Sequence, residues 1–326
     1  MHIKAFGWNV PEFGGIEVMQ WEALAPLIPG PDQLLVRVHA SGINFAETRM
    51  RSGTYSGQTL PFIMGMEAAG VVIAVGPGVT AYKNGDRVFG RARGSHATQV
   101  IFDVPHTLPL PDTLDFIAGA AIPVGWLTAW HALTTVARAR AGERVLIEAI
   151  ASSVGSAALQ IAKWQGCWVA GTASRNDKCA LSIEAGANAA YNYKTDNLAE
   201  RVMQDTSGHG IDVGLMTIGE ETASALFDSM AYEGRIAMYG STGGRQVCFN
   251  LNIGTRNLQL LAMSISTSGH FLPVSMRTFR EIAVPLFASK KFTAVISKVL
   301  PMKELAQAHA MVDSRTHFGK IILVND

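Results

Sequence analysis

Between residues 144 and 239 short apolar runs alternate with helix-like ones, and no other feature restricts the fold as strongly. Arg144-Val145-Leu146-Ile147-Glu148-Ala149 reads as a strand, residues 155–164 as a helix and residues 168–171 as the next strand. The unit repeats as a helix over 177–185, a strand at 189–191, a helix over 198–206 and a strand at 211–216. A helix over 222–231 and a strand at 235–239 follow. Strands separated by helices cannot pair as hairpins, so they predict a parallel sheet covered by helices on both faces. Residues 1 to about 110 follow another rule. Runs at 34–40, 69–76 and 86–90 are divided by Pro29-Gly30-Pro31-Asp32, Gly76-Pro77-Gly78 and Lys83-Asn84-Gly85-Asp86, which predicts a compact, largely antiparallel β domain. Beyond about 270 the chain reads as a helix over 276–289, a strand near Val295, a helix over 302–312 and a strand at 320–324.

A chain of 326 residues has room for about two domains. Its 27 Lys and Arg against 26 Asp and Glu leave no basic field for nucleic acid. Charged residues at 16% and hydrophobic ones at 48% exclude disorder as the main state. Residues 116–137 are uncharged and long enough to span a bilayer. They contain Gly119, Pro123, Gly125, His131 and three threonines, so we read them as buried helix and turn, with no membrane role. The first six residues lack the basic-then-apolar pattern of a secretory leader and read as a strand. Cys167, Cys179 and Cys248 form no C-x-x-C pair, which argues against a disulfide scaffold and a four-cysteine zinc lobe. A cytoplasmic protein is expected.

The turn after the first parallel strand, Ala149-Ile150-Ala151-Ser152-Ser153-Val154-Gly155, is built of small residues. Such a turn lets backbone N–H groups and a helix N-terminus approach a pyrophosphate, although serines stand where the G-x-G-x-x-G fingerprint has glycines. Ser152, Ser153, Val154 and Gly155 are therefore candidate cofactor contacts. About twenty residues on, where an NAD site places an acid, the chain has Ser174, Arg175 and Lys178 with no acid before Asp177. A hydroxyl and two cations suit a 2′-phosphate, so NADPH is the expected cofactor. Gly219 and Gly240 follow strands at the sheet edge where parallel sheets bind ligands.

Taken together the two halves resemble the medium-chain dehydrogenase/reductase superfamily, in its zinc-independent quinone oxidoreductase (zeta-crystallin-like) branch. The likeness rests on Ala40-Ser41-Gly42-Ile43-Asn44-Phe45-Ala46-Glu47, Arg51-Ser52-Gly53-Thr54-Tyr55, Gly65-Met66-Glu67-Ala68-Ala69-Gly70 and Gly85-Asp86-Arg87-Val88-Phe89-Gly90. Leu127-Thr128-Ala129-Trp130, Asn192-Tyr193, Tyr239-Gly240 and Gly319-Lys320-Ile321-Ile322-Leu323 complete it. The fold implied is α/β: a GroES-like β domain, discontinuous over 1–123 and 270–326, and a doubly wound Rossmann domain over 124–269. The positions that hold catalytic zinc in zinc-dependent members match Asn44, Met66 and Val124, none of them a zinc ligand type. The resemblance implies an NADPH-dependent reductase of quinones or α,β-unsaturated carbonyls, acting as a homodimer without metal. An enoyl-thioester reductase, or an NADPH-binding protein with little turnover, are the alternatives. Asn44 and Tyr55 are the candidate catalytic residues. Asn44, Thr128, Tyr239 and Lys320 are further candidate cofactor contacts, and Lys178 and Tyr193 resemble the family's 2′-phosphate pair. Three departures stand out. Glu148 precedes the cofactor turn, Gly94-Ser95-His96-Ala97-Thr98 replaces a stretch that usually carries tyrosine, and Met216-Thr217 stands where a strand-end Asp is common.

Overall fold

The computed structural model describes residues 4–325 except 56, 241, 244, 245, 248–251, 267, 268, 270 and 271. Met1–Ile3, at the expected N-terminal strand, and Cys248 lie outside the described residues. The chain forms two compact units, Met1–Val124 with Arg280–Asp326, and Gly125–Phe279. The return to the first unit falls at Arg280 rather than near 270. Helix Leu272–Thr278 stays with the second unit because Trp130 Nε1 donates to Thr278 Oγ1 at 2.9 Å and His131 Nδ1 meets Ser275 Oγ at 2.7 Å.

In the first unit a seven-stranded sheet orders Ile296–Pro301, Lys320–Val324, Gln33–Gly42, Glu67–Val75, Arg87–Arg91 and Thr107–Pro109, with Gln99–Asp103 also on Gln33–Gly42. All neighbours are antiparallel except the first two. Alternating residues of the long strands face one core, in which Val36, Val38, Val72, Val88, Phe102 and Leu323 are buried. Strand Lys320–Val324 aligns Ile322 with Gly42, and Ile43 N–H donates to the Ile321 carbonyl at 3.0 Å. This register brings the end of the chain to the start of helix Phe45–Arg51.

The second unit is a six-stranded parallel sheet. Its strands lie side by side as Ala189–Asn192, Trp168–Ala173, Arg144–Ile147, Ile211–Met216, Met230–Met238 and Gln259–Ala262. The order reverses at the first strand in sequence, which is the doubly wound arrangement with its ligand-binding switch point. The helix expected over 222–231 is shorter, Ala223–Asp228, because Met230 already pairs with Ile211 in the sheet. Residues 116–137 hold three short helical segments, and among the described residues no helix is long and apolar enough to cross a membrane.

Candidate active site

In the second unit, the strand Arg144–Ile147 ends in a turn where Ala149 takes φ 49°, and helix Ser153–Trp164 then begins. Ser152 caps it, its Oγ accepting the Gly155 N–H at 3.0 Å. A Cβ on Gly155 would lie 2.4 Å from the Ala149 carbonyl oxygen and 2.6 Å from Ile150 Cα, so only glycine lets the turn close this tightly. Ser153 and Val154, half-buried, form the first turn of the helix. Such an N-terminus, with its partial positive charge, fits a pyrophosphate.

Glu148 does not face that turn. Its Oε2 accepts the Thr217 and Ile218 N–H groups at 2.8 and 2.7 Å, and Oε1 accepts the Thr222 hydroxyl. Burial pushes its carboxyl up, against the pull of these donors. The carboxylate thus ties the end of strand Ile211–Met216 to the loop bearing Gly219, whose φ is 86°. Tyr239 and Gly240 follow the adjacent strand, Tyr239 N–H donating to the Met216 carbonyl at 3.1 Å. Burial and the Glu148 charge push the Tyr239 phenol up.

Ser174 follows strand Trp168–Ala173, and Lys178 lies buried in helix Asn176–Glu184. Tyr193 is half-buried, its N–H on the Ala173 carbonyl at 3.1 Å. Arg175 is exposed and forked onto Asp177, Nε and Nη2 donating at 2.9 and 2.8 Å. The cation expected at Arg175 is thus engaged by an acid two residues on. Thr128 is buried in helix Gly125–Trp130.

In the first unit Asn44 precedes helix Phe45–Arg51 without capping it through its side chain. Its Nδ2 donates to Glu67 Oε1 at 2.7 Å and Glu47 Oε1 at 3.1 Å, and its Oδ1 accepts from Lys320 Nζ at 2.6 Å. An inverted amide would set its NH₂ against the ammonium and its oxygen against two carboxylates, so the orientation is fixed electrostatically. Both amide hydrogens are engaged, which leaves Asn44 one acceptor lone pair and no donor to offer a ligand. Lys320, 2% exposed, also pairs with Glu67 Oε1, whose other oxygen accepts the Val124 N–H at 2.7 Å. Gly42 leaves room for this: a Cβ there would lie 2.7 Å from Lys320 Cε and 2.6 Å from the Ala120 carbonyl oxygen. Tyr55 is 40% exposed in the segment after the helix.

The positions matched to catalytic zinc ligands therefore hold a hydrogen-bonded amide, a thioether and a valine whose N–H is taken by Glu67, which do not fit the metal. Among the described residues one further group has suitable ligand types: Glu47, His96 and His309, all buried, with ligand atoms within 4.8 Å of one another. Arg51 Nη1 donates to His309 Nδ1 at 2.9 Å, which leaves the neutral ring's proton on Nε2, where a metal needs a lone pair. These residues do not fit a cation either. The sequence pattern assigned no site role to Glu47, Glu67, His96 or His309; the single acid in each of two quoted motifs, Glu47 and Glu67, was the available signal.

Burial, opposed by the Glu47 charge, lowers the His309 pKa to about 4. The unfolded chain protonates this ring near pH 6.5 while the folded one resists until about 4, so stability is lost as pH falls through that window. Wild type should lose about 2 kcal/mol relative to His309→Gln between pH 7 and 5. Urea titration of both proteins checks this; parallel pH profiles would contradict it.

Family models for "Alcohol dehydrogenase GroES-like domain" and "Zinc-binding dehydrogenase" match residues 30–112 and 153–289. A quinone oxidoreductase of Rattus norvegicus is 34% identical over 325 residues, covering 97% of this chain and 96% of the relative. A mycocerosic acid synthase-like polyketide synthase of Mycobacterium tuberculosis is 32% identical over 320 residues, 95% of this chain but 15% of that protein. The Escherichia coli quinone oxidoreductase, solved in complex with NADPH, matches with a TM-score of 0.90 and 28% identity over 98% of this chain and 99% of its own. Fold, site and matches define a two-domain oxidoreductase enzyme. The chain belongs to the medium-chain dehydrogenase/reductase superfamily, in its quinone oxidoreductase branch.

Proposed function

We propose that this enzyme uses NADPH, without zinc, to reduce a quinone or another α,β-unsaturated carbonyl. The observation that carries the reading is the capped, glycine-closed turn at residues 149–155, a backbone cradle that suits a pyrophosphate, with Lys178 and Tyr193 downstream as its 2′-phosphate pair. The NADPH-complexed relative supports the same cofactor. When bound, NADPH supplies the hydride. A site with no Lewis acid favours an acceptor that is already electron-poor, whose oxygen takes the negative charge as a hydroquinone anion or enolate. Asn44, an acceptor with its donors engaged, would take a hydrogen bond from a cofactor hydroxyl or carboxamide rather than polarise the substrate carbonyl. Tyr55 would serve as the orienting or proton-donating hydroxyl, and Thr128, Ser174, Tyr239 and Gly240 as further cofactor contacts. A cytoplasmic homodimer belongs to the same reading.

The match to a segment of a polyketide synthase favours, as a second reading, reduction of an enoyl thioester. A role with little turnover drew on the Ser152-Ser153 turn and on Glu148 beside it; the enclosure of Glu148 by Thr217, Ile218 and Thr222 removes the second of these supports. A panel of 1,4-benzoquinone, enals, enones and an enoyl-CoA thioester separates these readings by kcat/KM. Highest turnover on the quinone or enones supports the first, and on the thioester the second. Binding of NADPH with no oxidation across the panel would defeat both.

Asp177 competes with a 2′-phosphate for Arg175. Asp177→Asn should therefore tighten NADPH about threefold, with NADH affected less, a small factor because both partners are exposed. Fluorescence titration with the two nucleotides checks it; equal shifts for both would contradict it.

A further inference from the structure

The interior of the first unit contains a closed circuit of hydrogen bonds reaching from Asn44 back to Asn44. Asn44 Nδ2 donates to Glu47 Oε1, and Glu47 Oε2 meets His96 Nε2 at 2.7 Å. Ser41 Oγ lies 2.9 Å from His96 Nδ1 and 2.7 Å from the Glu67 carbonyl oxygen, its one hydroxyl proton serving either acceptor. Glu67 Oε1 accepts from Asn44 and closes the circuit. Ser95 reinforces it, accepting the Glu67 N–H at 3.0 Å and donating to the Glu67 carbonyl oxygen at 2.9 Å. Ser41, Glu47, Glu67, Ser95 and His96 are all buried.

Such a circuit costs desolvation of two carboxylates, so each needs its donors. Glu47 has two side-chain donors, Asn44 and His96, one on each oxygen. Without the His96 donor, Oε2 would be a buried, unpartnered anionic oxygen. Glu47 could then swing or take up a proton, and in either case Asn44 Nδ2 would lose one of its two fixed acceptors. His96 does not touch the face Asn44 offers a ligand; it acts through Glu47. We propose that His96 and Glu47 are positioning residues for Asn44, holding its amide so that Oδ1 is presented as a hydrogen-bond acceptor to the cofactor. This deepens the reading of NADPH use and rests on it. The role falls to a histidine because its Nε2–H bridges the distance to Glu47 while its other nitrogen reaches Ser41. The Gly94-Ser95-His96-Ala97-Thr98 stretch is then part of the cofactor machinery at one remove.

The test compares His96→Leu, which removes both contacts, with His96→Gln, whose amide keeps a donor at similar reach, and with Glu47→Gln. NADPH affinity is read by fluorescence titration, KM for NADPH and for 1,4-benzoquinone by steady-state kinetics, and folding by melting temperature. His96→Leu and Glu47→Gln should raise Kd and KM for NADPH about tenfold, equivalent to about 1.4 kcal/mol, with KM for the quinone unchanged. His96→Gln should stay within about threefold of wild type. A substituted protein whose melting temperature falls while NADPH affinity stays at the wild-type value overturns the proposal, because His96 would then be structural only. Equal rises in both KM values overturn it as well. If His96→Leu does not fold, Glu47→Gln against His96→Gln separates the same two outcomes. Wild type that binds no NADPH would instead defeat the cofactor reading itself.

Discussion

Lys320→Met is expected to lower stability by about 3–5 kcal/mol, the usual result of stripping one partner from a buried ion pair. The ammonium is 2% exposed, paired with a fully buried Glu67 and bonded to Asn44 Oδ1. Methionine keeps the volume and removes the charge, so the Glu67 carboxylate loses its hydrogen-bonded cation and keeps the Asn44 amide, the Val124 N–H and the charge of Arg91 on the neighbouring strand. The double variant Lys320→Met, Glu67→Gln should recover a large part of the loss, because no uncompensated charge then stays inside. Urea denaturation of the single and double variants measures this. A single variant as stable as wild type would contradict a stabilising role for this pair. The double variant should still bind NADPH weakly, since Asn44 has lost the partner that fixes its oxygen.

The second large effect concerns Glu148. Its carboxylate is the acceptor for two consecutive backbone N–H groups and the Thr222 hydroxyl, all buried. Glu148→Ala leaves these donors without an acceptor and opens a void at the end of the central strand. At about 1–3 kcal/mol for each orphaned group, offset by water entering the void, the expected net loss is about 2–4 kcal/mol. The loop bearing Gly219 loses its anchor, so NADPH binding should weaken along with stability. Glu148→Gln should fall between the two proteins, since one oxygen remains while its new NH₂ opposes an existing donor. Hydrogen exchange at residues 217–219 reports the loop directly; unchanged protection in Glu148→Ala would contradict the account.

Much of the second unit was legible in the sequence because its information is local. The alternation of strands and helices fixes a parallel sheet, and small residues must follow the strand Arg144–Ile147 if backbone is to approach a ligand. Helix ends were less legible: nothing in Leu226-Phe227-Asp228-Ser229-Met230-Ala231 announces that Met230 leaves the helix, since pairing with Ile211 decides it. The circuit around Asn44 was not legible at all. Ser41 and Glu47 flank Asn44, but Glu67, His96 and Lys320 are far from it along the chain, and only the tertiary fold, including the register of three strands, brings them together. A buried carboxylate also looks the same in sequence as an exposed one. Glu148 shows this well: its place beside the cofactor turn suggested repulsion of a phosphate, whereas its side chain turns toward donors 69 to 74 residues away.

The central claim is reduction by NADPH without metal, and one measurement meets it directly: nucleotide consumption at 340 nm with 1,4-benzoquinone, with NADPH and NADH in parallel, before and after exhaustive chelation. The account predicts faster consumption of NADPH than of NADH at subsaturating nucleotide, and the same rate after chelation. Consumption of NADH well above NADPH, or activity abolished by the chelator and restored by zinc, would contradict it.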